Sequence, residues 1–144
     1  MSKELTLKEI VATIGMIYAS KLQTDGWVEA QAFVPKLNDD EWHKLKLYSE
    51  SETIDQNMLE TAKALARRHG VIVYVMMAEF TGNGQRGMLV SGYTPFAELH
   101  LLVPVRESQD KYLPVIEESS FGTVEEDSYW LDPWYKDRTK APIN

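Results

Sequence analysis

Residues 71–93, VIVYVMMAEFTGNGQRGMLVSGY, decide the fold. Two β-branched and aromatic runs flank a glycine-rich centre, and that centre has two readings. Gly82, Gly84 and Gly87 match the G-x-G-x-x-G pattern of a nucleotide-phosphate loop. Such a loop needs a helix after it, whose N-terminal amides and dipole hold the pyrophosphate. Here MLVSGYTP follows, and its β residues, Gly92 and Pro95 oppose a helix. Gly87-Met88-Leu89 also lacks the lysine and the hydroxyl of a Walker loop. A kinase glycine loop does join two strands, but the chain has no H-R-D, no D-F-G and no length for a second lobe. Asn83-Gly84 between apolar runs is the strongest short hairpin signal, because a type I′ turn needs positive φ at both central residues. The stretch is therefore a hairpin, with Thr81 opposite Arg86, Glu79 opposite Met88 and Met77 opposite Val90.

That hairpin carries Val71, Val73, Val75, Met77, Met88 and Val90 on one face. Ile72, Tyr74, Met76, Ala78, Phe80, Leu89 and Tyr93 line the other. Both faces are apolar, so both need cover, unlike an antiparallel sheet with one solvated side. FAELHLLVPV, 96–105, adds a third strand that alternates Leu99, Leu101, Val103 and Val105 against Glu98 and His100. Pro104 cannot donate to a ladder, which predicts an edge position for it. A β-meander over about 71–105 results.

Upstream, the signals are helical. Thr6-Leu7-Lys8-Glu9 is a capping box, with Leu5 and Ile10 placed as a hydrophobic staple. Leu7, Ile10, Val11, Ile14, Ile17 and Tyr18 recur at helical spacing, and Thr24-Asp25-Gly26 stops the run. WVEAQAFV, 27–34, suits helix or strand and is closed by Pro35. NDDEWHKLKLY, 38–48, predicts a short helix: Asn38 and Glu41 form a box, acids crowd the first turn, and Lys44 and Lys46 lie towards the end. The same cap accounts for Asp39-Asp40-Glu41, which fan round a helix end instead of converging on a metal. Thr53-Ile54-Asp55-Gln56 opens another helix, with Met58, Ala62 and Leu65 inward, that runs to Arg67-Arg68-His69 and closes at Gly70. Arg67 and Arg68 point in different directions, so the helix dipole explains them better than a phosphate does.

Downstream lies an aromatic segment in which Tyr129, Trp130, Trp134 and Tyr135 surround Asp132-Pro133. Aromatics bury large areas and the sheet needs a lid, which favours a core role. The competing role is docking to a partner, since Trp and Tyr dominate interface hot spots.

The whole predicts one domain over 1–144 of α+β class, with N-terminal helices packed on the meander and an irregular aromatic C-terminal segment. The 144 residues, 44% hydrophobic and 26% charged, can bury a core without staples. Cysteine is absent, which excludes disulfides, thiolate nucleophiles and Cys-bearing zinc sites. A net charge of −7 disfavours nucleic acid and suits a protein that meets another macromolecule's basic groove. No secretory pattern and no apolar run of about 20 residues is present, so the expected location is cytoplasmic, away from the membrane.

No catalytic constellation emerges. His43, His69 and His100 form no H-x-H or H-E-x-x-H, and Val90-Ser91-Gly92 lacks the first glycine of a nucleophile elbow. Glu98 and His100 are the best acid–base pair, but edge-strand charges that discourage aggregation explain them more cheaply. No metal or cofactor is expected. The expectation is a non-enzymatic binding protein, an adaptor or inhibitor, with Tyr129, Trp130, Trp134 and Tyr135 as partner contacts. Its two apolar sheet faces and exposed edge also point to a homodimer. The alternative is a small-ligand binder or enzyme with a pocket between meander and tail, using Tyr74, Tyr93, Arg86 and Arg68.

Overall fold

The computed structural model describes residues 6–35, 41–47, 55–80, 85–122 and 131–135. Helix α1 spans Leu7–Asp25, with the Thr6 side chain accepting from the Glu9 N–H at 3.1 Å and Gly26 closing it in the left-handed conformation. Strands β1 (Gln31–Pro35) and β2 (Trp42–Lys46) follow, then helix α2 (Gln56–His69). The meander is β3 (Ile72–Phe80), β4 (Gln85–Tyr93) and β5 (Glu98–Ser108). Strand β6 (Lys111–Pro114), a 3₁₀ turn (Ile116–Glu118) and β7 (Ser120–Gly122) complete the described order.

Every strand pairing is antiparallel. The sheet runs β2-β1-β3-β4-β5-β6, with β7 also paired to β5. Helix α1 covers one face and packs on β4, β5 and β6. Helix α2 covers the other, joined there by Leu131 and Trp134. The α+β class, the N-terminal helix and the antiparallel meander therefore stand as expected. So does the assignment of hairpin residues to two apolar faces: Val73, Val75, Met88 and Val90 lie under α1, Ile72, Tyr74 and Tyr93 under α2.

Four local expectations are corrected. Residues 42–46 are strand, not helix. Leu45 and Leu47 are buried while Lys44 and Lys46 are exposed, a period of two. Pairing with 31–35, from Gln31↔Lys46 to Pro35↔Trp42, overrides the helical charge pattern. It also resolves 27–34 in favour of strand from Gln31 onward. Asn38, Asp39 and Asp40 lie outside the described residues.

The hairpin register moves by two. Met77 faces Met88, Glu79 faces Arg86 and Phe80 faces Gln85, a register whose centre falls one residue before that of the Asn83-Gly84 turn. A shift of two keeps every side chain on its face, which is why the facial assignment survives. The α2 cap is Asp55, whose carboxylate accepts from the Asn57 and Met58 N–H groups, in place of the Thr53 box. Finally, β5 is not an edge: it pairs β4 on one side, β6 and β7 on the other. Val115 N–H donates to the Pro104 carbonyl at 2.8 Å, so that carbonyl and the ring nitrogen beside it face away from β4. Pro104 sits between the end of the β7 ladder at Leu102 and the start of the β6 ladder at Val105, where no ladder donor is needed.

Two glycines let α1 lie close to the sheet. A Cβ on Gly92 would stand 2.6 Å from Val11 Cγ2, and one on Gly15 would stand 2.5 Å from Leu101 Cδ2. The helix can approach only where these side chains are missing.

Candidate functional site

On the sheet face that α2 shares with the C-terminal segment, β4 and β5 carry a line of polar groups. Ser91 and His100 are cross-strand partners, and the short β4–β5 turn brings them together. Thr94 builds that turn, its hydroxyl oxygen accepting from the Phe96 and Ala97 N–H groups. Ser91 Oγ lies 2.7 Å from His100 Nδ1, and His100 Nε2 lies 3.3 Å from Glu98 Oε2. The carboxylate can only accept, which puts the ring proton on Nε2 and leaves Nδ1 to receive the serine hydroxyl. Tyr93 meets His100 edge-on at 5.6 Å and Tyr74 edge-on at 5.9 Å. The Tyr74 hydroxyl donates to the Leu131 carbonyl at 2.7 Å, tying the C-terminal segment to the sheet.

The electrostatics follow from burial. His100 is 3% exposed, and burial lowers its pKa below 6.5, opposed by the Glu98 hydrogen bond and charge. Burial raises the Tyr74 pKa far above 10.0, helped by Tyr93 and Asp132. Asp132 is itself buried, its carboxylate accepts from the Trp134 N–H at 2.9 Å, and its charge acts on Tyr74, His100 and Lys63.

A serine–histidine–glutamate line invites comparison with nucleophilic catalysis. Here, however, Ser91 is 1% exposed and both imidazole nitrogens are engaged. An attacking oxygen must reach a substrate carbonyl, and this one reaches only the ring that holds it. The arrangement satisfies a buried histidine and stitches β4 to β5. The Glu98–His100 pair was visible in sequence as an i,i+2 match. Ser91 was not, because its part depends on the strand register, and Asp132 depends on where the tail docks.

The expected ligand residues do not converge. Tyr74 and Tyr93 are together in the core, packed with Leu131 and Trp134. Arg86 alternates with Met88 and Val90, so it belongs to the α1 face, where it donates to the Tyr112 hydroxyl at 2.8 Å. Arg68 is exposed on the last turn of α2, and its neighbour Arg67 donates from Nε to the Pro133 carbonyl at 3.4 Å. Of the expected partner contacts, Trp134 is 7% exposed within the core and Tyr135 is 41% exposed. Tyr129 and Trp130 lie outside the described residues, as do Gly82 and Gly84. His43 and His69 come together with ring centroids 6.2 Å apart, a contact their spacing does not announce. Among the described residues no group of three or more His, Asp or Glu side chains is placed to hold a metal ion.

The surface of α1 is the feature that sequence analysis missed. Its outward stripe is Glu9, Thr13, Met16, Ile17, Ser20 and Thr24, all exposed, and of these only Glu9 is charged. Thr24 donates its hydroxyl to the Ser20 carbonyl, which leaves the stripe still less polar. Met16 is 74% and Ile17 51% exposed, although Ile17 was expected inside. Beside this stripe a cavity of about 240 Å³ opens between α1 and β7, with Ala12, Gly15, Met16 and Ala19 on one wall and Ser119, Ser120 and Phe121 on the other. Lys8 Nζ stands 5.0 Å above the Phe121 ring at its rim.

No protein-family model, curated protein or solved structure matches the chain. No helix among the described residues is long and apolar enough to cross a membrane.

Proposed function

We propose that the chain is a non-enzymatic cytoplasmic binding protein, an adaptor or inhibitor that works through contacts with another protein, and that the outer face of α1 is where it docks. One observation carries this reading. A helix whose inner face is already buried presents water with Met16, Ile17, Thr13, Ser20 and Thr24 where charged side chains ordinarily stand. Covering Met16 and Ile17 would contribute about 1.5–3 kcal/mol for each side chain fully buried. The adjoining cavity offers room for a side chain of the incoming partner, and the net charge of −7 favours a partner with basic surroundings.

The test begins with a partner captured from the cells of origin and then purified. Titration calorimetry should show Met16→Glu weakening the complex at least about tenfold, with the melting temperature unchanged. Phe96→Ser, at a 95% exposed residue far along the chain on the β4–β5 turn, serves as the control and should bind like the parent. Equal affinity for parent and Met16→Glu would remove α1 from the interface and with it this reading.

A further inference from the structure

We propose that His43 and His69 together bind a zinc ion, held between the outermost strand β2 and the end of α2.

The three histidines fall into two kinds. His100 is buried, and both of its ring nitrogens are engaged, by Ser91 and by Glu98. His43 and His69 are half-buried, and among the described residues no hydrogen bond or ion pair engages either ring. Their rings lie side by side instead, 6.2 Å between centroids and tilted by 48°. A neutral imidazole keeps one nitrogen lone pair, so the two rings offer a pair of ligands of the kind that zinc favours. A tetrahedral zinc with Zn–N bonds of about 2.0–2.1 Å holds two ring centroids about 5 Å apart. Closing the observed gap takes a movement of about 1 Å, which small χ rotations of half-buried side chains supply. Water completes the coordination, since among the described residues no third His, Asp or Glu joins the pair.

The surroundings leave room for a cation. Along β2, His43 lies on the face of Leu45, which packs in the α2 cluster. Lys44 points the opposite way, its Nζ 5.9 Å above the ring of Tyr18 in α1. Arg67 is turned to the Pro133 carbonyl, and Arg68 is exposed, where water and salt screen it. His69 is the last residue of α2, at the negative end of the helix dipole. A Cβ built on Gly70 would meet nothing within 4 Å, so the space beside His69 is open. The net charge of −7 draws cations towards the chain as a whole. The tie also has a structural purpose, because β2 ends the sheet with β1 as its one neighbour among the described strands. A metal shared with α2 would fix that margin.

Zinc chloride added to the chelator-treated full chain tests the proposal, with magnesium, which prefers oxygen ligands, as the control. Calorimetry should saturate at one zinc per chain, and the melting temperature should rise with zinc but not with magnesium. In NMR spectra of the parent, the imidazole signals of His43 and His69 should shift together while those of His100 stay in place. His43→Ala and His69→Ala should each weaken binding at least about tenfold. Zinc that leaves both imidazole signals unmoved overturns the proposal, whether or not the variants fold. So does equal zinc affinity in the parent and in a folded variant carrying both substitutions. None of these readouts involves the outer face of α1, so the docking reading stands or falls separately.

Discussion

Beneath α1 the sheet is mostly apolar and tightly spaced, with Val73, Val75, Met88, Val90, Leu101 and Val103 meeting a helix admitted by Gly15 and Gly92, and one buried hydrogen bond from the Tyr18 hydroxyl to Gln31. On its other face, shared by α2 and a short C-terminal segment held by a tyrosine hydrogen bond, the same sheet carries Tyr74, Ser91 and His100. The first face depends on the fit between rigid surfaces. The second depends on polar groups finding their partners once water is gone. Overpacking should harm the first face most, and loss of a hydrogen-bond partner or a change of protonation should harm the second.

The largest expected effect belongs to the lid. Trp134→Ala should destabilise the protein by about 3–5 kcal/mol, the cost of emptying a buried indole, read from urea unfolding. A change below about 0.5 kcal/mol would mean that the tail contributes nothing to the α2 face. Next comes Gly92→Val. Valine suits a strand, so any loss is steric, and forcing a side chain into Val11 and Leu7 should cost about 3 kcal/mol. If the variant is as stable as the parent, α1 does not lie as close as its contacts indicate.

Tyr74→Phe removes one oxygen and leaves the Leu131 carbonyl without that donor, for a loss of about 1–3 kcal/mol. Proteolysis at the C-terminal segment should quicken in the same variant, which separates an opened lid from a general weakening. The pH dependence is smaller still. With its folded pKa below 6.5, His100 is neutral in both states above that value and contributes no slope there. As pH falls below 6.5 the unfolded chain takes the proton first, so stability declines by at most about 1.4 kcal/mol per pH unit until the folded protein is protonated too. His100→Gln should flatten that part of the profile, and an unchanged slope would assign it to another group.

Much of this contrast was legible in sequence, and the reasons are local. Thr6, Gly26 and Gly70 act within a turn of their own position, so three of the four helix ends could be placed at those residues. Alternation in 98–105 depends on nothing beyond the strand. Residues 42–46 misled because acids before and lysines after a short run favour helix locally, whereas the deciding interaction is pairing with 31–35. Asn83-Gly84 put the centre of the hairpin one residue later than the register of β3 and β4 does. At the candidate site, Glu98 and His100 announced themselves by spacing, but Ser91 required the β4–β5 register. The outer stripe of α1 was obscured by its own composition: apolar residues run so far round the helix that Ile17 fitted the buried set as well as the exposed one.

The placement of α1 also bears on synthesis. This helix ends at Asp25, yet the sheet residues it packs on lie mostly between Ile72 and Pro114. Helix α1 thus leaves the ribosome well before most of its partners are made. Until then α1 has no sheet to cover Val11, Tyr18 and Leu22 on one side, while Met16 and Ile17 face water on the other, and an isolated helix of this length is only marginally stable in water. At about 5–20 residues per second the wait lasts several seconds, long enough for a chaperone or a neighbouring nascent chain to meet the exposed helix first.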